Sequence, residues 1–348
     1  MQRKAVETGR AIPLAPADDE HRRARRLRRE ERRAAQRAQN PIRANAMHVA
    51  RLDSELDPST GTAAPRVVAS ASLGIMPGAY VGCSGWYYRH WAQSFYPEGL
   101  PTSRWFGHYA SQFSTVELNA PFYSWPTMVT VRGWSRQSAQ RDFIYTIKVN
   151  ELITHIKRFA RTDTLVKDFG LIADLLGNQF GCFLFQLPPS FHYTAPRLHR
   201  ILRQLDPRRR NVVEFRHRSW WNDTVYAAFR ESGTVFCSTS GPRLPDELIK
   251  TADDVYIRFH GTTNWYLHDY TNEELAKWVA RVVESGAVRV WAYFNNDREG
   301  HAIKNARELI RQLKAAVPPY PTGTTRPRPA QARSATVRAP APTTSPDD

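Results

Sequence analysis

Between Tyr80 and Leu313 the chain alternates two hydrophobic rhythms. Short β-branched or aromatic runs predict strands at Tyr80–Ser84, Thr115–Asn119, Phe143–Val149, Gly181–Leu187, Asn211–Phe215, Thr234–Cys237, Val255–Phe259 and Val288–Phe294. The run GCFLFQL at 181–187 is apolar on both parities, the pattern of a strand covered on both faces. Between the strands, apolar residues recur at helical spacing. Phe106 and Tyr109 do so in 103–111, Val131 and Trp134 in 127–137, and Leu165, Phe169, Ile172 and Leu176 behind Asp163, which is expected to cap its helix. Thr194 and Pro196 supply an N-cap and a first-turn proline to a helix with Leu198, Ile201, Leu202 and Leu205, and 223–231 reads as another helix. Thr271 and Glu274 form a capping box ahead of Leu275, Trp278, Val279 and Val282, and a last helix aligns Ala302, Ile303, Ala306, Leu309, Ile310 and Leu313. The span 238–254 holds two prolines and no helical pattern. This alternation predicts an α/β fold, a (β/α)8 TIM-like barrel. A doubly wound sheet would normally carry a Gly-rich phosphate turn after its first strand, and no G-x-G-x-x-G is present.

The strands share a way of ending. Their last polar side chains are Glu117 and Asn119, Lys148 and Asn150, Gln186, Glu214 and Arg216, Arg258 and His260, and Asn295. Residues i and i+2 of a strand lie on one face, so in a closed parallel barrel these groups converge on the mouth where such folds keep their chemistry. Glu117, Lys148, Glu214 and His260 are the candidate catalytic groups. Asn119, His155, Gln186, Arg216, Arg258, Asn295, Asn296, Trp86 and Tyr123 are the candidate substrate-binding groups. Two carboxylates among three fixed cations suit an anionic ligand, since guanidinium groups grip carboxylate or phosphate through paired donors. The bland alternative is that Glu214 pairs with Arg216 and Glu117 with Lys148. Lys148 is expected to serve as a binding cation rather than a covalent amine, because Glu117 and Glu214 would hold it charged, and His155 or His260 is a candidate proton shuttle. A metal site built from Glu117, Glu214, His260 and Asp297 is disfavoured by the competing cations, and neither a metal nor a cofactor is expected. Glycoside hydrolysis is disfavoured because strands two and five should stand apart. Aromatic residues after the strands, among them Trp86, Tyr87, Phe122, Tyr123, Trp125, Trp220, Trp265 and Tyr266, predict an aromatic rim.

Composition changes the picture mainly at the ends. The chain has 348 residues and a formal net charge of +16, and nine arginines fall within 21–40. Residues 1–77 read as an Arg-rich, low-complexity extension, 78–317 as the barrel, and 318–348 as a disordered Pro/Ala/Thr-rich tail. The extension reads as a basic helix or a disordered arm. It admits three interpretations: a solvated tail, an over-extended start upstream of Met47 or Met76, or a contact for RNA or single-stranded DNA. No run approaches the length of a membrane span and no secretory signal is evident, so no membrane partner and a cytoplasmic location are expected. Cys83, Cys182 and Cys237 are scattered through apolar segments and read as packing residues. The pattern fixes no oligomeric state.

A set of ordered motifs adds to this reading: VGCSGW at 81–86, VELN at 116–119 with Phe122 and Tyr123, Lys148 with Thr154 and His155, FQLPPSF at 185–191, EFR at 214–216 with Ser219 and Trp220, RFHG at 258–261, and YFNN at 293–296 with Asn305 and Ala306. In this order they resemble the YecE-like family, the domain of unknown function 72, across about Tyr80 to Leu313. The resemblance implies a TIM-like barrel and supplies no activity. The leading expectation is therefore an enzyme of undetermined reaction that binds a phosphorylated or carboxylated metabolite or a nucleotide at the barrel mouth. Its competitor is a protein that binds RNA or single-stranded DNA with the mouth and the basic arm.

Overall fold

The computed structural model describes residues 16–56 and 78–316. The expected tail at 318–348, and the parts of the extension at 1–15 and 57–77, lie outside the described residues.

Eight parallel strands follow one another around a nearly closed barrel: β1 (Ala79–Cys83), β2 (Thr115–Leu118), β3 (Ile144–Lys148), β4 (Phe180–Leu187), β5 (Asn211–Phe215), β6 (Val235–Ser240), β7 (Asp254–Phe259) and β8 (Arg289–Phe294). Each lies within a few residues of its predicted span. Nine α-helices accompany them among the described residues: α1 (Pro16–Leu56), α2 (Trp105–Ala110), α3 (Ala120–Tyr123), α4 (Met128–Ser138), α5 (Asp163–Leu176), α6 (Ala195–Leu202), α7 (Asp223–Ser232), α8 (Asn272–Glu284) and α9 (His301–Ala316). The capping box of α8 is present, and Thr194 accepts the Arg197 amide to cap α6. Asp163 is not a cap. It is the first residue of α5, where it pairs with Arg203 at 3.1 Å, while Thr162 at the cap position donates its hydroxyl to Gln204. No helix among the described residues is long and apolar enough to cross a membrane.

The hydrogen-bonded ladder runs from β1 through β8 back to β2, leaving β1 and β2 as neighbours without a ladder of their own. Tyr109 of α2 fills that role. Its hydroxyl accepts from the Cys83 amide at 2.9 Å and donates to the Thr115 carbonyl at 3.0 Å, joining the two strands. Gly82 makes the approach feasible, because a Cβ there would sit 2.4 Å from the Thr115 carbonyl oxygen.

Inside the barrel the side chains form layers. At the floor, Tyr80 stacks on Trp291 with ring centroids 4.1 Å apart, and Asp254 is gripped by Arg210 and Arg289 at 2.5 Å each. Above it the Tyr293 hydroxyl meets Thr115 Oγ1 at 2.7 Å and Thr146 Oγ1 at 2.9 Å, among Cys182, Leu184, Val212 and Cys237. The three cysteines are free and buried, and burial raises their thiol pKa values, so they act as packing groups.

Helix α1 is partly docked. Arg37 pairs with buried Glu151 at 2.8 Å, and Asn40 accepts from the Trp125 amide at 2.8 Å while its own amide donates to the Tyr123 carbonyl at 3.3 Å. Met47 Sδ accepts the Trp125 indole N–H at 3.3 Å, and buried Asp168 of α5 receives His48 and Arg51 at 2.9 and 2.8 Å. Ala44 and Met47 belong to the main hydrophobic core.

Candidate functional site

The charged layer begins where the packed core ends. Tyr256 stands two residues below Arg258 on β7 and donates its hydroxyl to Glu117 Oε2 at 2.7 Å, while Ser84, just past β1, donates to Glu117 Oε1 at 2.7 Å. Arg258 crosses the barrel from β7 and bridges both carboxylates, with Nη2 to Glu117 at 2.5 Å and Nη1 to Glu214 at 2.6 Å. Glu214 also pairs with Arg216. Burial alone would push the Glu214 carboxyl pKa up, but the guanidinium groups of Arg216 and Arg258 outweigh it and hold the group well below its usual range. Arg216 Nη2 lies 2.8 Å from His260 Nε2, a contact in which the guanidinium must donate. His260 is therefore a neutral acceptor at Nε2. Burial, joined by Arg216 and Arg258, lowers its pKa well below the ordinary histidine value.

Lys148 stands outside this network. Its pairing with Glu117 does not form, because Glu117 is taken by Arg258, Ser84 and Tyr256. Among the described residues the ammonium makes no ion pair, and it lies over the face of Phe122, 4.1 Å from the ring centroid. Burial, reinforced by Arg258, lowers the Lys148 pKa to about 7 despite the opposing pull of Glu214. The expectation that the two glutamates hold it charged is thus corrected: Arg258 and Arg216 absorb their charge. His155 follows on a π-helical turn at Leu152–Ile156, 4.9 Å from the Phe122 ring, and burial with nearby Lys148 lowers its pKa to about 4. Both histidine pKa values are thus lowered out of the neutral range, whereas that of Lys148 is lowered into it.

Gln186 and Lys148 are buried, with 9% and 8% of their surface left, and the Gln186 amide has no hydrogen-bond partner among the described residues. Asn119 donates to the Ser84 carbonyl at 3.0 Å, and its buried Oδ1 has no partner among the described residues. Asn295 contacts His260 Nδ1 at 3.2 Å, and Trp265 covers the Arg216 guanidinium at 4.5 Å. Other candidates are not brought into this group. Asn296 takes the opposite parity to Asn295, and its amide bonds the His268 carbonyl at 2.8 Å and Asn305 at 2.7 Å, tying a loop to α9. Trp86 packs edge-on against Phe106 of α2. Asp297 sits with Trp91 Nε1 at 2.7 Å and His90 at 2.9 Å, outside the carboxylate pair. The aromatic rim divides: Trp91, Trp125 and Trp220 are fully buried packing, whereas Phe122 and Trp265 face the charges and Tyr123 lies against Phe122.

The spacing argument against paired carboxylates also needs correction, since Glu117 and Glu214 share one guanidinium. Their engagement, Glu214 by Arg216 and Arg258 and Glu117 by Arg258 and two hydroxyls, rather than distance, is what suits them poorly to protonating a leaving group. Ser84 and Tyr256 were not read as site residues from the chain. The same two-residue rule that selects Arg258 selects Tyr256, and Ser84 ends β1 as Glu117 ends β2.

The comparisons with known proteins agree with the fold. The family model "Protein of unknown function DUF72" matches residues 80–331. The UPF0759 protein YunF of Bacillus subtilis is 24% identical over 270 residues, covering 67% of this chain and 94% of its own. A solved DUF72 family protein from Thermotoga maritima is 27% identical with a TM-score of 0.62, covering 68% of this chain and 99% of that one. Another, from Enterococcus faecalis, is 20% identical with a TM-score of 0.58, covering 68% and 95%. The chain belongs to the DUF72 family, and its barrel is that family's fold.

Proposed function

We propose that the barrel mouth binds an anionic small substrate, a phosphorylated or carboxylated metabolite or a nucleotide, and that Lys148 meets its charge and exchanges a proton with it. One observation carries the reading: the two carboxylates of the mouth are consumed by Arg258 and Arg216, which leaves Lys148 as a surplus, buried cation with no carboxylate of its own. Holding an unpaired ammonium in so dry a place opposes folding, and a ligand is the physical reason to keep it there. Gln186, Asn119 and the outer edge of Arg216 supply hydrogen bonds around it. A lysine titrating near neutrality populates both protonation states there, as a general acid or base requires.

The test is a thermal-shift and calorimetric screen of the full chain against phosphate- and carboxylate-bearing metabolites. A ligand at a hundred times its Kd adds about 2.7 kcal/mol of stability, a readily measured shift. Lys148→Met should fold and lose that stabilisation. A panel that never shifts the wild type, or shifts Lys148→Met equally, removes the reading.

A further inference from the structure

Along α1 one face changes character. Positions 26, 29, 33, 37, 40, 44, 47 and 51 recur at steps of three and four and fall on a single stripe of the helix. Its later part is the docked face: Arg37 on Glu151, Asn40 on Trp125, and Ala44 and Met47 in the core. Its earlier part is Arg26, Arg29 and Arg33, all exposed. The same face that lies against the barrel therefore continues past the barrel as arginine. Contacts to the barrel begin at Arg33, whose guanidinium lies 5.0 Å over the Tyr123 ring. From there the path is continuous: Tyr123 meets Phe122 edge to face at 4.9 Å, and Phe122 meets Lys148 at 4.1 Å. A basic stripe and the surplus cation of the mouth are joined by two aromatic rings.

We propose that the arginine stripe of α1 and the adjoining Tyr123 form one binding face for single-stranded nucleic acid, with Arg26, Arg29 and Arg33 on successive phosphates and a base against Tyr123, which buried Phe122 backs from the barrel side. A strand fits this face better than other polyanions. Rings beside cations stack on unpaired bases, which a duplex hides. A lipid surface would call for an apolar face next to the arginines, and the exposed large apolar residues of α1, Leu27, Ile42, Val49, Leu52 and Leu56, all lie off the stripe, with Ile42 and Val49 on its far side. Glu30 tempers the patch, pairing with Arg26 at 2.9 Å, an exposed contact that a phosphate can replace.

The experiment measures binding of a fluorescent mixed-sequence single-stranded RNA or DNA 20-mer to the full chain over a range of salt. It compares Arg26→Gln/Arg29→Gln/Arg33→Gln with Arg25→Gln/Arg28→Gln/Arg32→Gln, which removes equal charge from another face; glutamine keeps the helix propensity. The stripe variant should bind at least tenfold more weakly, with a salt slope shallower by about 2, near 0.7 per lost phosphate contact. The other triple should change affinity less than threefold, and duplex of the same sequence should bind more weakly than single strand. Equal losses in the two triples, no oligonucleotide binding at low salt, or binding only to phosphatidylserine vesicles would each overturn the proposal. Small-anion stabilisation through Lys148 is scored separately on the stripe variant, where it should survive, so either reading can fail without the other.

Discussion

Lys148 ends β3 with burial and Arg258 acting together against its charge, and its ammonium lies over the face of Phe122 with no ion pair among the described residues. The consequence for stability has a definite sign. Its pKa in the folded chain is about 7, below the ordinary 10.5, so between those values the unfolded chain holds the proton more tightly and stability rises with pH. Below the folded pKa both states are protonated and the whole penalty of burying the charge applies. Lys148→Met removes the penalty. The variant should be more stable than wild type at about pH 6, and the gap should narrow steadily from the folded pKa of about 7 through about pH 9, closing only as pH passes the ordinary 10.5, as followed by urea denaturation at each pH. A gap of constant size across that range would mean the amine keeps its ordinary pKa. The neighbouring groups explain why the lysine stands apart: each carboxylate oxygen that could have answered it is nearer to Arg258, Arg216, Ser84 or Tyr256.

Among the elements, the seam between β1 and β2 is where the barrel is weakest in backbone hydrogen bonds and most dependent on side chains. Tyr109 bridges it through one hydroxyl, and Gly82 allows the strands within reach of that bridge. Gly82→Ala drives a methyl against a backbone carbonyl that cannot swing aside. A cost at the upper end of overpacking, about 3 kcal/mol, is expected in equilibrium denaturation, and a loss below about 0.5 kcal/mol would show that the seam is loose enough to open. The strands themselves were legible in the chain because a barrel strand is covered on both faces and reads as an uninterrupted apolar run. The polar tips were legible because the two-residue period sends Glu117, Lys148, Glu214 and Arg258 to the same end. The pairing was not legible, since Arg258 reaches across the lumen to strands that are distant in sequence, and only barrel closure decides which carboxylate it meets. Asn296 misled for the opposite reason: adjacency to Asn295 in sequence means the other face of the strand. Docking of α1 left little apolar trace, because its buried face is made of Asn40, Ala44 and Met47, while Ile42 and Val49 stay exposed.

Over the whole molecule, α1 ties the Arg-rich extension to the barrel unevenly. Its later half covers fully buried Trp125 and supplies both partners of buried Asp168, so it cannot leave without stranding a carboxylate and uncovering a tryptophan. Residues 23–32 have no hydrogen bond, ion pair or ring contact with the barrel among the described residues, and an unsupported helix of that length is marginal in water. Stability along this one helix should therefore divide. Amide hydrogen exchange on the full chain is expected to show protection at 40–51 approaching that of the barrel strands, and exchange orders of magnitude faster at 23–32. Uniformly fast exchange along α1 would mean that the docked contacts do not hold in solution. Single-stranded nucleic acid offers the complementary test of the arginine stripe: bound to Arg26, Arg29 and Arg33, it should slow exchange at 23–33 and leave 40–51 unchanged, since those amides are already held by the barrel. A nucleic acid that slowed only the barrel strands would place its contacts away from the helix.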